Sequence, residues 1–180
     1  MKRLTLVLAA AAALLAQQTR KEIVSPSKNP ADDSKPNSAS VPDVYAVNTN
    51  FSRVVLLRFK FNADLLAGLE KMVKEEKIQN AVFLSAIGSV RNYQVHQVSN
   101  RTFPSKDVFV KDPAAPADIT GISGYVMNGR IHAHLTMATP NGAFGGHLEP
   151  GTNVFTFAVI TVGVLPGDLD LSRLDDKTDR

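Results

Sequence analysis

The chain of 180 residues contains no cysteine and no tryptophan. Without cysteine there is no disulfide, no thiolate metal site and no cysteine nucleophile, so a transition metal would have to be held by nitrogen and oxygen ligands. The lack of disulfides says little about compartment, because an extracellular protein need not carry them. A strong excess of one charge is missing too: 20 Lys and Arg stand against 17 Asp and Glu, a formal charge of +3. What is present, 44% hydrophobic and 21% charged residues, is the balance of a soluble globular protein with a real core. The length suits one domain better than two.

The N-terminus speaks to compartment. Lys2 and Arg3 are followed by an apolar stretch from Leu4 to Ala16, rich in Ala and Leu, and then by Gln17 and Gln18. That stretch, about 13 residues, is shorter than the roughly 20 a helix needs to span a bilayer. A positive start, a short apolar segment and a polar exit have the form of a secretory signal peptide over residues 1–16. The expected location is therefore secreted or periplasmic. No lipobox cysteine is available for a lipid anchor, and no stable membrane anchor is expected after cleavage. Removing Lys2 and Arg3 lowers the formal charge from +3 to +1, so the pI near 9.2 gives little support to nucleic-acid binding.

Residues 17–47 are rich in Ser, Pro, Asn, Asp and Lys and read as a flexible linker, unable to bury enough apolar surface to offset the entropy of ordering. The charged residues 172–180 read as a disordered tail, which leaves one domain over 48–171. Within it, Arg53 to Phe61 alternates as a strand. Asn62 can cap a helix with Asp64 in its first turn, Leu65, Leu69, Met72 and Val73 at helical spacing, and an end near Lys77. Ala81 to Val90 and Tyr93 to Val98 read as two strands, and Arg101 to Ala117 as a loop with a short strand at Val108 to Val110. Strands are expected over Ile119 to Met127, Arg130 to Ala138 and Asn153 to Val164. Asn128-Gly129 and Asn141-Gly142 have hairpin-turn chemistry, since these residue types tolerate positive φ. Many strands with one main helix predict an α+β domain with a mostly antiparallel sheet.

Three of the four histidines fall in Arg130-Ile-His-Ala-His134 and Gly145-Gly-His147. Strand side chains alternate, so His132 and His134 share a face. A two-residue loop at Asn141-Gly142 would set His147 opposite Thr136 and Glu149 opposite His134, and all four side chains would project from one face. Three imidazoles without cysteine suit zinc, or another first-row divalent ion such as nickel, iron or manganese, and leave a position open for water or a small ligand. The competing reading is that polar strand residues merely share a sheet face. Gly145-Gly146 permits close backbone approach beside the site. His96, alone in its strand, reads as an ordinary hydrogen-bonded or surface residue. Glu149 could be a base, a group that orients a ligating histidine, or a rim residue, with the non-ligand roles favoured. Asp118 and Arg130 read as structural.

The stretches Asp118 to Val126, Gly129-Arg-Ile-His-Ala-His-Leu135 and Gly142-Ala-Phe-Gly-Gly-His-Leu-Glu-Pro-Gly151 resemble the plant-and-prokaryote-conserved (PPC) domain. Arg58-Phe, the Asp64-Leu-Leu helix start and Ala86-Ile-Gly-Ser-Val90 are similar to its first half. The resemblance covers about Arg53 to Val164 and points to the prokaryotic type, in a secreted variant. It implies a compact sandwich with an antiparallel sheet, a homotrimer, and a metal, often zinc, on the positions matching His132, His134 and His147, one ion per subunit. Members are often given a DNA-binding label because plant relatives carry an AT-hook. No Arg-Gly-Arg-Pro core occurs here, and no nucleic-acid partner is expected.

Three functions stay open at this point. They are a metal-dependent protein acting as an enzyme or small-ligand binder, an oligomerisation module whose metal is only structural, and a DNA-binding domain. A cupin fits less well, because Leu135 to Ala138 lacks the glutamate that normally follows its H-x-H. A serine hydrolase lacks its G-x-S-x-G elbow. Whether the chain is an enzyme is not decided by its residues.

Overall fold

The computed structural model describes residues 19–24, 36–171 and 174. The proposed signal peptide, most of the tail and residues 25–35 of the proposed linker lie outside the described residues. Among the described residues, eight strands and one helix follow in the order β1 (Arg20–Val24), β2 (Arg53–Phe59), α1 (Leu65–Glu75), β3 (Ala81–Val98), β4 (Asp107–Asp112), β5 (Ala117–Met127), β6 (Arg130–Thr139), β7 (Gly142–Leu148) and β8 (Asn153–Val164). All pairings between strands are antiparallel. The expected α+β class with a mostly antiparallel sheet is the one observed.

The 18-residue strand β3 organises the sheet. Its first half lies between β8 and β5, and its second half between β4 and β7. Because β5, β6 and β7 pair in series and β7 returns to β3, the sheet closes on itself. Sequence reading divides this strand in two at Val90. The chain instead stays extended and takes up the irregularity as register shifts against β8, between Phe83 and Ser85 and around Val90. Such bulges bend a strand and increase its twist, which lets one strand serve both ends of a curved sheet. Another departure lies within the expected linker, where β1 pairs with β4 at the sheet's edge.

The inner face carries the core. Val90, Val95, Val126, Leu135, Leu148 and Ile160 are fully buried, at period-two positions of five strands. Helix α1 adds Leu65, Leu69 and Val73. Its N-cap is Asp64, not Asn62: the Asp64 carboxylate accepts from Ala67 N at 2.9 Å, whereas Asn62 takes positive φ of 64° in the preceding turn. Lys77, also at positive φ, follows the helix end. A smaller cluster of Met127, Leu165 and Leu171, with Val47 and Val82 against it, covers one end of the outer face.

Two hairpins set the register of the site. Asn128 and Gly129, at φ 50° and 75°, form the expected tight turn between Met127 and Arg130. In the second hairpin Thr139 pairs with Gly142, so Pro140 and Asn141 make the turn instead of Asn141 and Gly142. Proline's fixed φ suits the first corner of a turn and not a paired strand position. The shift keeps the parity of β7 but advances it, and His147 pairs with His134 in place of Thr136.

Candidate metal centre

Cross-strand pairing alone brings the histidines together. His134 pairs with His147 across β6 and β7, and His147 pairs with His96 across β7 and β3. His132 lies two residues before His134 on the same face. Buried Ala133 and Leu135 point inward between and after them, so the imidazoles stand on the outer face. The approach of β7 to both neighbours depends on its glycines. A Cβ on Gly145 would collide with the carbonyl oxygen of Leu135, and one on Gly146 with that of His96.

The four rings form a compact group. His132 and His134 are stacked with planes 6° apart, and their Nε2 atoms are 3.1 Å from each other. His147 stands nearly perpendicular to both, its ring centre 5.0 Å from that of His132 and 5.6 Å from that of His134. His96 stacks on the other side of His147 at 4.5 Å. Outward from this group, Phe109 lies against His96 and Tyr125 against His132.

Glu149 sits behind the stack. Its Oε1 is 2.6 Å from His96 Nδ1 and 3.3 Å from His147 Nδ1, so it does not lie opposite His134 as the assumed register required. The Thr152 hydroxyl donates to the Gln94 and Glu149 carbonyls, pinning the turn after β7 against β3. Burial and the imidazoles around them, His132, His147 and His96 for His134 and His96 and His132 for His147, hold both groups below the ordinary histidine pKa. Glu149 opposes this at His147 but does not reverse it. Both are therefore neutral near pH 7, the form in which imidazole ligates a metal.

The structure thus places the three sequence-predicted residues side by side, keeps Glu149 next to them at a different position, and adds His96. The meeting of His96 and Glu149 has no local signal, because they lie 53 positions apart and come together only when β7 closes onto β3. Two candidate sets share His147. In His132, His134 and His147 the first two present Nε2 atoms 3.1 Å apart and the third meets them by edge-on ring contact. In His96, His147 and Glu149 each residue offers a donor atom within 4.8 Å of the others, so this is the set whose donor atoms converge among the described residues. The residues suit a first-row divalent ion on two observations. His147 Nδ1 is buried without a hydrogen-bond partner, which suits an ion at that atom in the set with His96 and Glu149. The 3.1 Å between the Nε2 atoms of His132 and His134 is also close to the ~3.3 Å edge of a tetrahedron built on zinc–nitrogen bonds of about 2.05 Å.

A single closed antiparallel domain with a histidine cluster on its outer face defines a class. Residues 47–166 match the Plants and Prokaryotes Conserved (PCC) domain, and the chain belongs to that family. A bifunctional GlmU protein from Synechococcus sp. (strain JA-3-3Ab) is 29% identical over 129 residues, covering 71% of this chain and 20% of that protein. The chain thus spans about a fifth of the length of this curated relative. A metal-containing protein from Archaeoglobus fulgidus superposes with a TM-score of 0.59 at 25% identity, over 69% of this chain and 87% of that one. A PPC protein from Pyrococcus horikoshii superposes at 0.57 and 24%, with the same coverage, and shares the fold.

Proposed function

We propose that this chain is a secreted or periplasmic, homotrimeric PCC-domain protein that binds one divalent transition metal ion, zinc first, per subunit through His132, His134 and His147. The single observation that carries this reading is the convergence of three imidazoles, two with Nε2 atoms 3.1 Å apart and the third edge-on to both. The metal-containing neighbour at 25% identity supports it. In this arrangement His147 presents one ring nitrogen to the ion, and Glu149 stands at its Nδ1, the carboxylate–histidine pairing that orients ligating imidazoles. His96 is held by the same carboxylate and walls the site through its stack on His147. The ion would supply an open, Lewis-acidic position to a water or small ligand.

A second reading, in which His96, His147 and Glu149 hold the ion, is favoured by their 4.8 Å grouping. It would have to break the short His96–Glu149 hydrogen bond, which the first reading keeps. Metal content of purified mature protein, measured beside variants, separates the two. The first expects about one ion per subunit, lost in His132→Ala/His134→Ala and retained with affinity reduced about 10–100-fold in Glu149→Gln. Full metal retention by the double-alanine variant, or no metal in the wild type under metal-replete neutral conditions, overturns it. Complete loss in Glu149→Gln with retention in the double-alanine variant would install the second reading.

A further inference from the structure

Strand β1 does more than lengthen the sheet. The inner face of β7, β3 and β4 runs on past the core at this end, and β1 continues it. Lys21 pairs with Val110, and Val110 with Val95, so Lys21 shares the face of Val95 and Tyr93 and stands opposite the face of His96. Together with β7 these strands line a cleft of about 450 Å³. That volume falls within the roughly 300–1,000 Å³ usual for small-molecule sites.

The walls of the cleft are aromatic and branched. Tyr93 and Phe144 meet with ring centres 4.9 Å apart and planes tilted by 55°, and Val108 and Val110 lie beside them. The polar groups on the walls fall into two kinds. The Thr19 hydroxyl is committed to Asp112, the Thr139 hydroxyl to Asn141 N and the Gly142 carbonyl, and the Gln97 amide to the Gly145 carbonyl. Lys21 and Tyr93 are different. Among the described residues the Lys21 ammonium has no ion-pair partner and the Tyr93 hydroxyl makes no hydrogen bond. Tyr93 is only 6% exposed, and a phenol buried that deeply ordinarily finds a partner. No carboxylate is among the described residues that line the cleft.

One ligand chemistry answers these features together. A flat aromatic body fills the space against Tyr93, Phe144 and the valines, and a single carboxylate accepts from the Tyr93 hydroxyl while facing the Lys21 ammonium. Two strand spacings, about 10 Å, separate β1 from β3, a gap that a lysine stem and a phenol ring narrow to the width of one carboxylate. An amine would meet Lys21 as a like charge, and a plain hydrocarbon would leave the phenol without an acceptor. We infer that this cleft binds a small aromatic carboxylate, with Lys21 and Tyr93 holding its anionic end. The site is independent of the metal reading. The strand that supplies Lys21 precedes residues 47–166, the part that matches the family, so this wall is an addition to the shared domain.

The test titrates purified mature protein with 2-naphthoate, and with 2-naphthamide as the uncharged control, by calorimetry. Metal content and far-UV circular dichroism are read on each sample. One naphthoate is expected per subunit, with a Kd of about 1 mM or tighter, and the amide should bind at least about fivefold more weakly. Lys21→Met should weaken naphthoate about fivefold, as for a solvent-exposed ion pair, and Tyr93→Phe about tenfold, as for a hydrogen bond to a charged group. The His132→Ala/His134→Ala variant should bind it as the wild type does. Loss of binding in that variant would place the carboxylate on a metal ion, overturning this cleft and leaving the metal centre standing. Equal affinity for the amide, wild-type affinity in both Lys21→Met and Tyr93→Phe, or no saturable binding to the wild type would overturn it as well.

Discussion

At the scale of single residues, the site depends on what is small as much as on what ligates. Gly146 lets β7 lie against the carbonyl of His96, and Gly145 does the same against Leu135. Gly146→Ala must push β7 away from β3, which separates His96 from Glu149 and the other imidazoles. Its expected cost is at least ~2 kcal/mol, as for other backbone collisions in a packed interior, read as a lower denaturation midpoint together with weaker metal retention. A variant as stable and as metal-loaded as the wild type would show that the close approach is dispensable. The depressed pKa values of His134 and His147 have a signed consequence. Above pH ~6.5 both folded and unfolded imidazoles are neutral and contribute no difference. As pH falls below that value the unfolded chain takes up protons first, so the metal-free domain loses stability on acidification. Thermal scans of chelator-treated protein at pH 7.5 and 5 should show a Tm lower by several degrees at pH 5, and less so in His134→Gln. An unchanged difference in that variant would assign the effect elsewhere.

At the scale of elements, Asp64 has two tasks. One carboxylate oxygen caps α1 through Ala67 N, and the other accepts from Gly151 N at 2.6 Å, in the turn that follows Glu149. Asp64→Ala should therefore cost more than an isolated cap, ~1–2 kcal/mol, or a Tm lower by about 3–6 °C. Asp64→Asn, which keeps an acceptor for the cap, should recover part of it. The same region shows what a sequence can tell. The periodicity of β5, β6 and β8 and the Asn128-Gly129 turn were legible because alternation and turn chemistry are local properties. So was the shared face of His132 and His134, which follows from spacing alone. The cap was misplaced by two residues because Asn62 and Asp64 are both good caps, and only the chain's direction after Phe59 chooses between them. The register of β7 was off because Pro140 and Gly142 compete for the turn. Glu149 was legible beside the site but was set opposite His134 instead of His96 and His147, and His96 was not legible as part of it, since their meeting is decided by closure of the sheet and by nothing near them in the chain.

At the scale of the whole molecule, strand β1 is an addition at the edge. Among the described residues it pairs with β4 alone, and its Thr19 hydroxyl donates to Asp112, a buried carboxylate that also accepts from Ala114 N and Ala115 N. A protein beginning at Pro36 should therefore keep its fold and metal content, with Tm changed by less than about 4 °C. The uncovered β4 is short and carries Asp107, Lys111 and Asp112, charges that discourage edge-to-edge association. Loss of the cooperative transition in the truncated protein would make β1 an integral strand.

The return of β7 to β3 also sets an order of events in time. His96 and His147 become neighbours only once β5, β6 and β7 have wound round and the last seam has zipped. Sheets dominated by such distant pairings fold on a scale of milliseconds to seconds, because the chain must surrender its freedom before the contacts form. A nascent chain can offer His132, His134 and His147 early, from one hairpin, but His96, which holds Glu149 beside His147, arrives at the finish. Weak ion capture should accordingly precede full affinity during refolding, and an ion held with full affinity would mark a molecule whose sheet has finished closing.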